Sequence, residues 1–136
     1  MTAADELQSL LDRFATTTMG VEDVLAVSGD GIRLASSAGL PDAMADQFGA
    51  IATGLTGLAL GAARCFAEDN VQRIVIEMDR TYLLMANLAH GAVLGVLARK
   101  NADMGLIAYE MTLLADSAGR VLSPTVIARL ENALAS

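Results

Sequence analysis

Two neighbouring segments of this 136-residue chain are apolar on both of their sides. In residues 82–88, Leu84 and Leu88 alternate with Leu83 and Met85. In residues 92–99, Leu94 and Val96 alternate with Val93 and Leu97. Successive side chains of a strand point to opposite faces, so a strand that is apolar throughout needs cover on both. The turn-forming Ala89-His90-Gly91 joins the two segments. They are expected in the middle of a sheet that carries helices on each face.

The rest of the chain supplies that cover. Residues 41–66 read as one long helix, with Pro41 and Asp42 in its first turn. At about 1.5 Å per residue it spans roughly 39 Å. Met44, Phe48, Ile51, Leu55, Leu58 and Cys65 recur at three- and four-residue steps and form one face, expected to lie on the sheet. The opposite face carries Gly49, Thr53, Gly57 and Leu60, with Asp46 near one end and Arg64 near the other. A solvated face usually carries Lys and Glu, whereas small residues admit a second helix backbone. Neither face suits water, and that points to assembly.

A first amphipathic helix is expected over residues 4–17, built on Leu7, Leu10, Leu11 and Phe14. Asp5 and Glu6 stand in its first turn, and a threonine run and Gly20 end it. Met104, Ile107, Ala108, Met111, Leu114 and Ala115 keep the helical period up to Gly119. Ser123-Pro124 then open a short last helix with Val126, Ile127, Leu130 and Leu134. Strands over 24–28 and 32–36 flank Gly29-Asp30-Gly31, which supplies the positive φ of a tight hairpin. In residues 71–78, Ile74, Ile76 and Met78 share one face while Arg73, Val75 and Glu77 share the other. This half-exposed strand belongs at a sheet edge. No Pro, Gly or Lys interrupts it, so the edge is a pairing site.

Composition narrows the function. Hydrophobic residues make up 54% of the chain and charged ones 18%, which fits either a surface partly covered by a partner or a plain bias toward small apolar residues. The net charge of −7, with Lys100 as the single lysine, argues against nucleic acid, since phosphate binding needs clustered Lys and Arg. His90, the one histidine, falls in a turn and reads as exposed rather than as a general base. Cys65 lies on the apolar stripe and reads as a buried inert thiol. One His and one Cys make no zinc site, and Gly29-Asp30-Gly31 lacks the Lys-Ser/Thr ending and the following helix of a phosphate loop. The expectation is no catalytic residue, no metal and no cofactor. Asp5 and Glu6 stand where a signal peptide would be basic, and residues 48–63 are shorter than the ~20 of a membrane span, so a cytoplasmic protein is expected, brought to a membrane only by partners.

Several stretches resemble the Roadblock family of dynein-light-chain-like proteins. Residues 24–36, VLAVSGDGIRLAS, are similar to its first hairpin. Residues 83–110, with Gly91-Ala92-Val93-Leu94-Gly95-Val96-Leu97 and Asn101-Ala102-Asp103-Met104-Gly105-Leu106, are similar to its last two strands and following helix. The similarity runs over residues 4–118, within a single domain of residues 1–136 whose segment 123–136 is a helical extension. It implies an α+β, Roadblock/profilin-like fold. In that fold a five-stranded antiparallel sheet of order 2-1-5-4-3 has the long helix on one face and the N- and C-terminal helices on the other.

The resemblance also implies a function without catalysis: a homodimeric scaffold and regulator of a Ras-like small GTPase in bacterial signalling, GTPase activation being one route. The family builds its dimer from the long helix and third strand. Here that implies an interface of Asp46, Gly49, Thr53, Gly57, Leu60, Arg64, Val71, Arg73, Val75 and Glu77. An antiparallel helix pair centred on Leu55 would bring Asp46 near Arg64 of the second copy. A heterodimer with a similar chain stays open, and a small-molecule-binding sensory domain is the alternative reading.

Overall fold

The computed structural model describes residues 1–135, and the side chain of Leu134, expected on the last helix's apolar face, lies outside the described residues, as does Ser136. The elements run α1 (Ala3–Thr17), β1 (Val21–Val27), β2 (Arg33–Ser36), α2 (Asp42–Cys65), β3 (Ile74–Glu77), β4 (Thr81–Asn87), β5 (Val93–Arg99), α3 (Met104–Val121) and α4 (Pro124–Ala135). Capping explains several boundaries. Thr2 accepts from the Asp5 N–H while the Asp5 carboxylate accepts from the Thr2 N–H, a reciprocal box that opens α1. Asp103 caps α3 through the Leu106 N–H, and Ser123 caps α4 through the Val126 N–H.

The strands form one antiparallel sheet of order β2-β1-β5-β4-β3, as expected. β4 and β5 are central, and their two faces enter two separate cores. On one side Leu84, Leu94 and Val96 join Val24 and Ala26 beneath Leu7 and Leu11 of α1, Ile107 and Met111 of α3, and Ile127 and Leu130 of α4. The expected C-terminal extension is thus packed into the core. On the other side Leu83, Met85 and Val93 join Leu25 and Val27 beneath α2.

The two cores differ in depth. The α1/α3/α4 side buries large aliphatic side chains, each contributing about 1.5–3 kcal/mol when fully removed from water. Helix α2 has 24 residues, but those it buries are Ala45, Gly49 and Ala52, with Phe48 and Leu55 packed at the margin. Small residues here let the helix sit close to its own sheet. A Cβ on Gly49 would collide with the Gly31 carbonyl oxygen, and one on Gly95 would lie 2.6 Å from Phe48 Cζ.

The helix is therefore rotated part-way from the sequence expectation, with Phe48 and Leu55 packed over the sheet as expected. Met44, Ile51 and Leu58, expected over the sheet, are 54%, 47% and 76% exposed, and Gly49, expected to meet a partner, faces the hairpin of its own chain. Cys65, expected buried, is exposed on the same outer side. Periodicity separates the two faces of a helix without saying which one the sheet accepts. The close approach of the Gly31 turn, with φ +83°, makes that choice.

Smaller differences have local causes. β1 begins at Val21, because Val21 and Asp23 pair with Ala98 and Leu97 across an irregularity in the ladder. β3 is limited to Ile74–Glu77, and Val71 is tied instead through its carbonyl to Asn87 Nδ2. α3 runs through Gly119 to Val121, since that glycine keeps a negative φ.

Helix α2 ends with the Glu68 N–H donating to the Ala63 carbonyl at 2.8 Å and with Ala67 in the left-handed region at φ +58°. Glycine is the residue that adopts this position without a Cβ penalty. Ala67→Gly is expected to raise stability by about 0.5–1 kcal/mol, read as a higher midpoint in thermal unfolding.

Candidate partner interface

Three uncovered features adjoin one another around α2 and β3. The first is the crown of α2. Met44, Ile51, Leu58 and Cys65 repeat every seven residues along its outward side, all exposed, with exposed Gly54 and Gly61 between them. A Cβ at Gly54, Gly57 or Gly61 would meet nothing within 4 Å. A 3.5-residue repeat of large and small residues is the pattern of a helix that receives another apolar element.

The second is the flank of α2, where Thr53, Thr56, Gly57 and Leu60 wall a cleft of about 600 Å³ against Ser28, Asn87 and Val93. Thr53 is occupied locally, its hydroxyl donating to the Gly49 carbonyl at 3.1 Å.

The third is the outer edge of β3. The Met78 N–H donates to the Thr81 carbonyl at 2.9 Å, and antiparallel pairs alternate from there. Ile76 and Ile74 therefore bond to Leu83 and Met85, while the N–H and C=O groups of Val75 and Glu77 point away from β4. The side chains alternate likewise: Ile74 and Ile76 are half-buried under α2, and Val75 and Glu77 are exposed.

The electrostatics are those of a surface. Arg33 of β2 pairs with Asp42 at 2.8 Å and Asp46 at 3.5 Å, fastening the first turns of α2 to the hairpin. Asp46 is thus engaged within its own chain, and a bond to Arg64 of a second copy would have to compete with Arg33. Lys100 donates to Glu77 at 2.6 Å and lies 4.9 Å from the Tyr82 ring centroid. The hydrogen bond to the Glu77 carboxylate raises the lysine's pKa, against a smaller lowering by desolvation. His90 is exposed in the Ala89–Gly91 turn at φ +58°. Among the described residues no three His, Cys, Asp or Glu side chains group as metal ligands do.

The family model of the Roadblock/LC7 domain matches residues 7–98. This chain belongs to the Roadblock/LC7 family. Among solved structures it is similar to a Roadblock/LC7 domain from Streptomyces avermitilis, with 30% identity, 82% of this chain and 93% of that one covered, and a TM-score of 0.78. Myxococcus xanthus MglB has a TM-score of 0.78 at 16% identity, over 85% of this chain and 93% of its own. Acanthamoeba castellanii profilin IB has a TM-score of 0.58 at 20% identity, over 85% and 99%, which places the fold beside profilin. Among curated protein sequences none matches the chain.

In this Roadblock/LC7 domain, Thr53, Gly57, Leu60, Val71 and Arg73 lie around the cleft and the adjoining hollow beside β3, and Val75 and Glu77 lie on the edge itself. Arg64 is exposed in the last turn of α2. Of the residues expected at an interface, Gly49 is turned inward. The crown residues Met44, Ile51 and Leu58 were missing from that set, because apolar character alone assigns a side chain to the core. Helix α2 is long and apolar enough to cross a bilayer by length and composition. Its inner face is nevertheless held to the sheet through Phe48 and Gly49, which accounts for part of that apolarity without a membrane.

Proposed function

We propose that this domain is a non-catalytic homodimeric scaffold that binds and regulates a Ras-like small GTPase. The carrying observation is the exposed apolar crown of α2, a stripe with Met44, Ile51 and Leu58 in the open. Exposed apolar patches of this kind mark interaction sites on soluble proteins. Family membership supports the reading, as does the fold shared with MglB, one solved form of which has a tetrameric arrangement. The flank of α2 and the β3 edge receive the second copy, through Thr53, Gly57, Leu60, Arg64, Val71, Arg73, Val75 and Glu77. The crown, left open by that arrangement, receives the GTPase. The domain acts in the cytoplasm and reaches a membrane through its partners.

Binding of a Ras-like GTPase from the same organism, loaded with GDP or with a non-hydrolysable GTP analogue, tests the central point. One nucleotide state should bind more tightly, and GTP turnover should change on addition of the domain. Absence of binding in both states would sink the proposal. Gly57→Leu tests the dimer. It should leave the fold intact or slightly firmer, since glycine in a helix costs about 1 kcal/mol relative to alanine and the position is open. It should lower the dimer fraction in light scattering at micromolar concentration. An unchanged dimer would move the contact off this flank.

A further inference from the structure

Away from α2 and β3, on the opposite side of the sheet, a cleft of about 360 Å³ opens between α1 and the last turns of α3. Glu6, Ser9, Leu10 and Arg13 line it from α1, and Ser117 and Arg120 line it from α3. Among the described residues, neither guanidinium and neither serine hydroxyl has a hydrogen-bond or ion-pair partner within the chain. The rest of these two helices behaves differently. Thr16, Thr17 and Thr112 each donate to a carbonyl four residues earlier, as helical hydroxyls commonly do. Arg120 stands four residues after Asp116, a spacing at which acid and base pair along a helix. It lines the cleft instead, while Asp116 lines the hollow on the other flank of α3 with Arg73. Arg13 has no acid three or four residues away, and Asp5 and Asp12 of its helix are engaged by Thr2 and Gln8. The helix dipole accounts for one cation in the last turn of α3, but not for a second brought to the same cleft from α1.

We propose that this cleft binds a small phosphate monoester that carries hydroxyl groups. A guanidinium presents a fork of donors that matches phosphate oxygens, and two of them lining one cleft balance a dianion. The hydroxyls of Ser9 and Ser117 add two further donors. Glu6 selects the rest of the ligand. Its carboxylate only accepts, so the ligand has to bring a donor of its own, which an ester with hydroxyl groups does and bare phosphate at neutral pH does far less. An extended polyanion is disfavoured by the same carboxylate and by the net charge of −7. The volume falls at the lower end of the roughly 300–1,000 Å³ of small-ligand sites. Because the cleft involves neither α2 nor β3, the ligand can be held while both partners proposed above are bound, and its absence would leave that interface reading untouched.

Titration of the full chain with glycerol phosphate and with inorganic phosphate, followed by amide NMR shifts, tests the site. Saturable shifts should appear at Ser9, Arg13, Ser117 and Arg120, and the ester should bind more tightly than the bare ion. Arg13→Gln and Arg120→Gln should each weaken binding about tenfold, as loss of a charged hydrogen-bond donor does. Arg80→Gln, an equal loss of charge in the exposed turn between β3 and β4, should change nothing. Glu6→Gln should erase the preference for the ester over the ion. Both arginines of the cleft are exposed and without partners, so their variants should keep the wild-type thermal midpoint, and the wild-type shifts remain a readout if one does not fold. A phosphate monoester with hydroxyl groups also occurs as a lipid headgroup. Binding to phosphatidylcholine vesicles doped with phosphatidylinositol phosphate, lost in the same two variants and without a response to glycerol phosphate, would support the site and assign its ester to a lipid. Equal weakening by Arg80→Gln would show attraction by charge alone and overturn the site. Shifts confined to other residues, or no saturable response to any of the three probes, would overturn it as well.

Discussion

Replacing Gly49 by valine should lower stability by about 3 kcal/mol, in the upper range for overpacking at a contact that cannot yield. The atom a new Cβ meets is the carbonyl oxygen of Gly31, part of a backbone turn in the left-handed region and not the end of a flexible side chain. Either α2 lifts from the hairpin or the turn is pushed out. Lifting α2 also withdraws Phe48 from its place over Gly95, so a single added side chain loosens much of the thinner core. For a chain of this size the loss corresponds to a fall of roughly 10 °C in the thermal midpoint. The control lies five residues along the same helix. Gly54 faces open space, and Gly54→Ala should raise stability by up to about 1 kcal/mol, through helix propensity alone. Equal effects at the two glycines in thermal unfolding would contradict the orientation of α2.

Leu58→Asp should abolish partner binding while leaving the fold and the dimer mass nearly unchanged. Leu58 is 76% exposed at the centre of the α2 crown, so its removal takes little from the core, and the stability change should stay within about 0.5 kcal/mol. In the GTPase complex proposed above the same position would be buried. The substitution then loses an apolar contact and places a carboxylate without a partner in a dry interface. Together these raise the dissociation constant for the GTPase about 100-fold or more. Calorimetric or surface-based titration against the nucleotide-loaded GTPase reads the loss. If Leu58→Asp dissociates the dimer instead, the crown is the surface between copies, and the flank with its cleft becomes the GTPase side.

How much of this was legible depended on the kind of signal. The two-sided apolarity of residues 82–88 and 92–99 placed β4 and β5 in the sheet centre, because a strand has only two faces and both were apolar. The one-sided pattern of Arg73, Val75 and Glu77 placed β3 at the edge by the same logic. The capping residue Ser123 was in plain view as well, since a cap acts within three residues of itself. These features depend on local periodicity and hydrogen bonding, which a sequence carries directly.

The orientation of α2 was a different matter. Its sequence determined that the helix has a large-residue face and a small-residue face, and that neither is built for water. It did not determine which face the sheet receives, because two physical rules compete there. Burial of apolar area favours turning Met44, Ile51 and Leu58 inward, whereas close packing against the Gly31 turn favours Gly49 and Ala45. Only the tertiary structure decided this, since the turn that excludes a Cβ comes from a hairpin eighteen residues earlier and meets the helix only once the chain has folded. The packing contact won, and the large residues Met44, Ile51 and Leu58 were left exposed on the outer side of the helix.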